Sequence, residues 1–239
     1  MSKQCWLLGM CVVFTQVAWA GRPLGTDDAG TADAGTCQIE GWQQRSRSDR
    51  ALVVAPACGV APGLEVGIDD TRRTGDAVHG AGLALKWLPQ GAAGPTWADT
   101  TAFGDVSAGL KLSLAYRRQP GESWRHRDSN LLLLVSTKFN DTLTLHTNLG
   151  AIRNQAEKIN AGLFNIALVA TPNERVLLFA ESQTNSRQAT FGPTVNTIGG
   201  RWWVIKQRFG LDATASRAIG QPGATYTLGF GWYGLMNLY

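Results

Sequence analysis

His146 and Asn148 share one face of the alternating stretch Thr142-Leu143-Thr144-Leu145-His146-Thr147-Asn148-Leu149-Gly150, and Ser136 lies on the adjacent predicted strand. A serine next to a histidine that a third polar group orients is the minimum for nucleophilic hydrolysis. A lone strand histidine serves equally well as a structural hydrogen-bonder, and His79 and His126 fall in predicted loops, so no catalytic residue is assigned. Asp27-Asp28 and Asp69-Asp70 are acidic pairs without the spacing of a calcium loop. Gly80-Ala81-Gly82 is not followed by a helical pattern, which rules out a phosphate loop. Cys37 and Cys58, once bridged, could not hold zinc. These patterns assign no metal, no cofactor and no enzymatic activity.

The elements that hold these side chains begin after an export signal. Lys3 supplies a positive start, an apolar run follows from about Cys5 to Phe14, and Ala18-Trp19-Ala20 is a small-x-small cleavage site. Residues 1–20 are therefore read as a signal peptide, with Gly21 the first mature residue. The apolar run is too short for a spanning helix, which needs about 20 residues. Cys5 and Cys11 leave with the signal. Cys37 and Cys58 remain in an oxidising compartment, where a pair of cysteines reads as a disulfide. Segments 37–46 and 51–58 read as two strands joined by a polar turn, and antiparallel pairing about that turn brings the two cysteines together.

The rest of the chain shows no run of 18 apolar residues and no sustained helical period. It shows period-two alternation, interrupted by Gly, Pro, Asn and Asp clusters. Ala108, Leu110, Leu112, Leu114 and Tyr116 share one face of a strand whose other face carries Ser107, Gly109, Lys111, Ser113 and Arg117. Tyr226, Leu228, Phe230 and Trp232 alternate with threonine and glycine. About twelve such segments run from 37–46 to 224–237, most long enough for a tilted strand to cross a bilayer, which takes about 9–11 residues. Strands of soluble sandwiches are usually shorter. Tight turns at Asn140-Asp141, Lys206-Gln207 and Ala61-Pro62 alternate with longer polar connections such as 119–128 and 186–194, the spacing of an outer-membrane barrel. The segment from Pro89 to Phe103 is too long for the short turn due there.

The expected fold is thus all-β: one antiparallel up-and-down transmembrane β-barrel of about twelve strands over residues 37–239. Residues 21–36 precede it as a periplasmic segment able to plug its mouth. Closure follows from the absence of water in the bilayer core, which leaves no partner for a sheet edge. Trp42, Trp87, Tyr116, Tyr226 and Trp232 are candidates for interfacial girdles. The inward face would carry Glu65, Asp69, Lys86, Lys111, Arg117, Lys138, His146, Asn148, Asn165, Glu181, Arg201 and Asp212. An open channel would use these charges to set ion preference; a filled lumen would pair them. Both remain open at this point. The formal net charge of +4 is not clustered as nucleic-acid binding requires. The expected partners are outer-membrane lipid, the outer-membrane assembly machinery and small solutes, at a bacterial outer membrane reached by export.

One stretch carries a more specific pattern. Arg22-Pro23-Leu24-Gly25-Thr26-Asp27-Asp28-Ala29-Gly30-Thr31, followed by Cys37-Gln38-Ile39-Glu40, resembles the start of a group of proteobacterial outer-membrane barrels related to the transporter-like proteins of the phenol meta-cleavage pathway. His146-Thr147-Asn148-Leu149-Gly150, Gly200-Arg201-Trp202-Trp203-Val204-Ile205 and Phe103-Gly104-Asp105-Val106 with Gly109-Leu110-Lys111 resemble that group too. The resemblance implies an outer-membrane barrel that moves hydrophobic or aromatic compounds, and a Cys37–Cys58 bridge. Tyr239 suits the terminal aromatic of barrels handed to the assembly machinery, although it is out of phase with Trp232.

Overall fold

The computed structural model describes residues 23–47, 49–74, 77–89 and 105–236. Twelve strands follow in order: β1 (Cys37–Arg45), β2 (Arg50–Ala61), β3 (Leu64–Arg73), β4 (His79–Trp87), β5 (Asp105–Arg118), β6 (Arg125–Asn140), β7 (Leu143–Asn154), β8 (Ile159–Asn173), β9 (Val176–Asn185), β10 (Val195–Ile205), β11 (Phe209–Ala218) and β12 (Thr225–Trp232). Each pairs antiparallel with its sequence neighbour, and β12 returns to pair with β1, from Ile39↔Trp232 to Arg45↔Tyr226, so the sheet has no edge. The single-turn helix α1 (Gln188–Phe191) decorates the β9–β10 connection.

The alternation in the sequence becomes the two walls of the barrel. Along the middle of the strands threonine, glycine, alanine and the charged residues mostly point inward, while leucine, isoleucine and valine mostly point outward, with Leu132, Leu134, Val169 and Leu177 as inward exceptions. Ile198 is 64% and Leu228 69% exposed, and Leu52, Ile68, Leu131 and Leu178 join them on the same outer surface. A continuous apolar exterior of this kind matches lipid, not water. Trp87, Trp202 and Trp232 stand on it towards one end, and Tyr116 and Tyr226 towards the other. Trp42 departs from the girdle expectation. It alternates with outward Gly41 and Gln43 and faces the interior, where it lines a cavity.

The end that carries Cys37 and Trp232 also carries the tight turns at 62–63, 141–142, 174–175 and 206–208; it is called here the terminal end. The opposite, loop end has the longer connections, up to 186–194. Strand β6 starts at Arg125, which shortens the expected 119–128 connection from its C-terminal side. In two tight turns a lysine holds a neighbouring carboxyl below its usual range: Lys138 hydrogen-bonds Asp141, and Lys206 hydrogen-bonds Glu174. Cys37 and Cys58 are direct partners on β1 and β2 and form a disulfide across 21 residues. The excursion at 90–103, the signal at 1–20 and Tyr239 lie outside the described residues.

Candidate functional site: a strapped lumen

Residues 23–36 do not hang below the barrel. They run into it and cross the bore from the β2–β3 wall to the β8–β9 wall. A backbone inside a polar lumen needs partners for its N–H groups, and here wall side chains supply them in place of a ladder. Gly25 N–H donates to both Glu181 oxygens at 3.1 and 3.0 Å, and Thr26 N–H to Glu181 Oε2 at 2.8 Å. Asp27 is clamped twice by fully buried Asn148: its N–H donates to Oδ1 at 2.9 Å and its carbonyl accepts from Nδ2 at 2.7 Å. Ala29 N–H donates to Ser136 Oγ at 2.8 Å and Ala32 N–H to Glu65 Oε2 at 2.7 Å.

Charge and apolar contacts reinforce this strap. Lys111 Nζ lies 2.8 Å from both carboxylate oxygens of Asp27. Lys86, 4% exposed, reaches Asp28 at 3.3 Å and Asp27 at 3.5 Å. Ala29 packs on Leu132, Leu134 and Leu163, and Leu24 on Val169, Leu177 and Phe179. Where the strap leaves the bore it pairs with β2, Gly35 N–H to the Gly59 carbonyl and Gly59 N–H to the Thr36 carbonyl. A Cβ at position 59 would collide with the carbonyl oxygens of Ala32 and Asp33, so the chain needs glycine there.

The rest of the bore, under β10 to β1, is filled by a second cluster. Tyr233 follows β12 and turns inward, where it packs against Trp203 with ring centroids 5.6 Å apart. Its hydroxyl donates to Glu40 and accepts from Arg201. Arg201 also holds Asp212 at 2.7 Å and lies 5.2 Å over the Trp203 ring. A charge removed from water this far requires such partners.

Above the strap a cavity of about 650 Å³ opens through the loop end, bordered there by Gln44, Thr71, Val195 and Thr225. Its wall is rich in hydroxyls and amides, including Gln38, Gln183, Thr197, Thr214, Ser216 and Thr227, with Trp42 as its one large aromatic ring. Five carboxylates (Asp27, Glu40, Glu65, Asp69 and Glu181) line it against two ammonium groups, Lys86 and Lys111.

Strand register places all twelve polar residues named from the sequence on the inner wall. They divide by role. Glu65, Lys86, Lys111, Asn148 and Glu181 grip the strap; Arg201 and Asp212 belong to the second cluster. Asp69 faces the cavity, Asn165 is the register partner of Asn148, Arg117 stands at the loop-end rim, and Lys138 is turned to Asp141 at the terminal rim. His146 Nδ1 lies 2.7 Å from Ser136 Oγ. That hydroxyl already accepts the Ala29 N–H, so its proton is left to donate to the imidazole. The Ser/His pair exists, but beneath the strap and away from the lipid-facing surface, where it serves as an anchor. The sequence reading does not assign Glu40 and Tyr233 to the lumen, and it assigns Trp42 to a girdle instead. Glu40 and Trp42 share the inward parity of β1, which is the signal that could have found them.

A family model described as "Uncharacterised conserved protein UCP029691" matches residues 10–162, and the chain belongs to that family. No curated protein matches the sequence. Among solved structures, the KdgM porin is similar with a TM-score of 0.58 at 7% identity, covering 82% of this chain and 98% of that one. A second KdgM structure, in complex with disordered oligogalacturonate, gives 0.57 at 6% identity with the same coverage. The NanC porin gives 0.58 at 7% identity, again covering 82% and 98%. At these identities the likeness establishes the fold: a closed twelve-strand barrel of the outer-membrane porin type.

Proposed function

We propose that this family member is an exported bacterial outer-membrane channel for small solutes, closed at rest by its own residues 23–36. The observation that carries the reading is how the strap is held. Its grip depends chiefly on hydrogen bonds and ion pairs from six strands, with only two small apolar contacts, over a lumen that would be wet without it. Such a grip can be released without exposing a large apolar surface, because water replaces each lost partner. The apolar exterior with aromatic residues at two levels supports placement in a bilayer. Small solutes and outer-membrane lipid are the expected partners, and the inward polar residues Glu65, Asp69, Lys86, Lys111 and Glu181 line the cavity that solutes enter.

The resemblance to phenol-pathway barrels would favour aromatic solutes. The cavity favours small hydrophilic ones, and cations over anions, since carboxylates outnumber ammonium groups on its wall. The test is single-channel recording with refolded mature protein in planar bilayers. Expected are brief openings from a mostly closed state, a cation-directed reversal potential in a salt gradient, and a shift of that potential towards anions in Asp69→Asn. Silence from both the native chain and a variant with a weakened strap overturns the channel reading. It would favour a structural barrel with a filled lumen, a reading that the Arg201–Tyr233 cluster supports.

A further inference from the structure

The arginines are distributed very unevenly. Of sixteen in the chain, twelve lie at the loop end, on strand ends and connections between Arg45 and Arg217. Five acidic residues stand among them at the described loop end outside the cavity: Asp49, Asp70, Glu122, Asp128 and Glu157. Arg45, Arg50, Arg72, Arg118, Arg153 and Arg217 have outward parity, above the apolar belt.

The β1–β2 hairpin concentrates this charge in a shaped place. A concavity of about 310 Å³ is lined by Arg45, Ser46, Arg47, Asp49, Arg50 and Thr74. Arg45 and Arg50 are direct cross-strand partners, an arrangement that like charges disfavour. The one carboxylate present is committed elsewhere, because Asp49 Oδ2 accepts from Arg73 Nε at 2.8 Å. Its turn is pinned by Ser46, whose hydroxyl accepts the Asp49 N–H at 3.1 Å. None of the three lining arginines has an ion-pair partner among the described residues. Beside them, Tyr226, 62% exposed, is the β12 partner of Arg45 and stands at the level where a tyrosine meets lipid headgroups.

We infer that the Arg45–Arg47–Arg50 concavity binds the phosphate of an anionic lipid headgroup in the leaflet around the loop end. Guanidinium groups match phosphate bidentately. A phosphate seated between Arg45 and Arg50 would turn their repulsion into attraction. A lipid is favoured over free phosphate because the flanking arginines face outward, next to the acyl-chain belt, and not into the lumen. The inference shares membrane placement with the channel reading but does not depend on conductance.

The test measures binding of diphosphoryl lipid A to the refolded full-length mature protein in neutral detergent micelles, by native mass spectrometry. Variants are Arg45→Gln/Arg47→Gln/Arg50→Gln and, as a control for charge alone, Lys206→Gln/Arg208→Gln at the terminal end. Heat-modifiable gel mobility certifies that each is folded. Expected is lipid A binding weakened about tenfold or more in the triple variant, unchanged in the control, and weaker for the dephosphorylated lipid. Equal binding by the triple variant overturns the inference, as does equal loss in the control. Inorganic phosphate that displaces lipid A at equal concentration would reassign the site to soluble anions and overturn it too. If the triple variant does not fold, the native protein decides: binding indifferent to removal of the lipid phosphates overturns the inference.

Discussion

Replacing Asn148 by leucine keeps the side chain's size and removes both hydrogen bonds with which the barrel clamps Asp27 of the strap. Asn148 is fully buried, so water does not replace it while the strap stays in place. Two lost bonds at about 1 kcal/mol each, with a further penalty for a buried N–H and C=O left unpaired, sum to about 2–4 kcal/mol against the closed state. Glu65, Lys111, Ser136 and Glu181 still hold, so the strap opens more often without being lost. The open population then rises by about 30- to 900-fold. Thr26→Cys, at a strap position 2% exposed in the native chain, reports on this, since Cys37 and Cys58 are occupied with each other. The rate at which an impermeant maleimide labels that cysteine from the loop end is compared with and without Asn148→Leu, alongside open probability in bilayers. Equal labelling rates and equal open probability would refute the claim that these two bonds hold the strap.

Lys86→Met strands the carboxylate of Asp28 without its buried cation and leaves Asp27 to Lys111 alone, and is expected to cost about 3–5 kcal/mol, read as a lower urea midpoint; a midpoint within error of the parent refutes the role given to Lys86. Gly59→Val drives a side chain into the Ala32 and Asp33 carbonyls, so the barrel should still close while hydrogen exchange over residues 32–36 accelerates; unchanged exchange there would count against strap pairing on β2. Cys37→Ser/Cys58→Ser releases a loop closed across 21 residues and should lower stability by about 3 kcal/mol in the chain-entropy picture, with conductance unaltered; altered conductance would mean that the bridge also shapes the bore.

How much of this was legible in the sequence depends on the range of the interaction. Period-two alternation is a local property of each strand, so the all-β class, the strand positions and the inward or outward sense of residues such as Lys111 and Leu112 could be read directly. The Cys37–Cys58 bridge was legible too, because one hairpin brings both cysteines together. Trp42 was misread as an interfacial aromatic because residue type was weighed above its parity with Glu40. A segment at 21–36 able to plug the mouth could be read, but the strap's contacts were out of reach for a different reason. Gly25 and Glu181 are 156 residues apart, and no local pattern says which wall side chain will meet which strap N–H. That choice exists only once β12 has closed on β1 and fixed the bore's diameter and the stagger of its strands. The same closure brings Tyr233 to Glu40, 193 residues away. By itself the sequence determined that the chain forms long strands with one apolar and one polar face. Only the closed barrel decided that the polar face would meet a piece of the same chain, because a lumen's partners are set by the geometry of the whole ring.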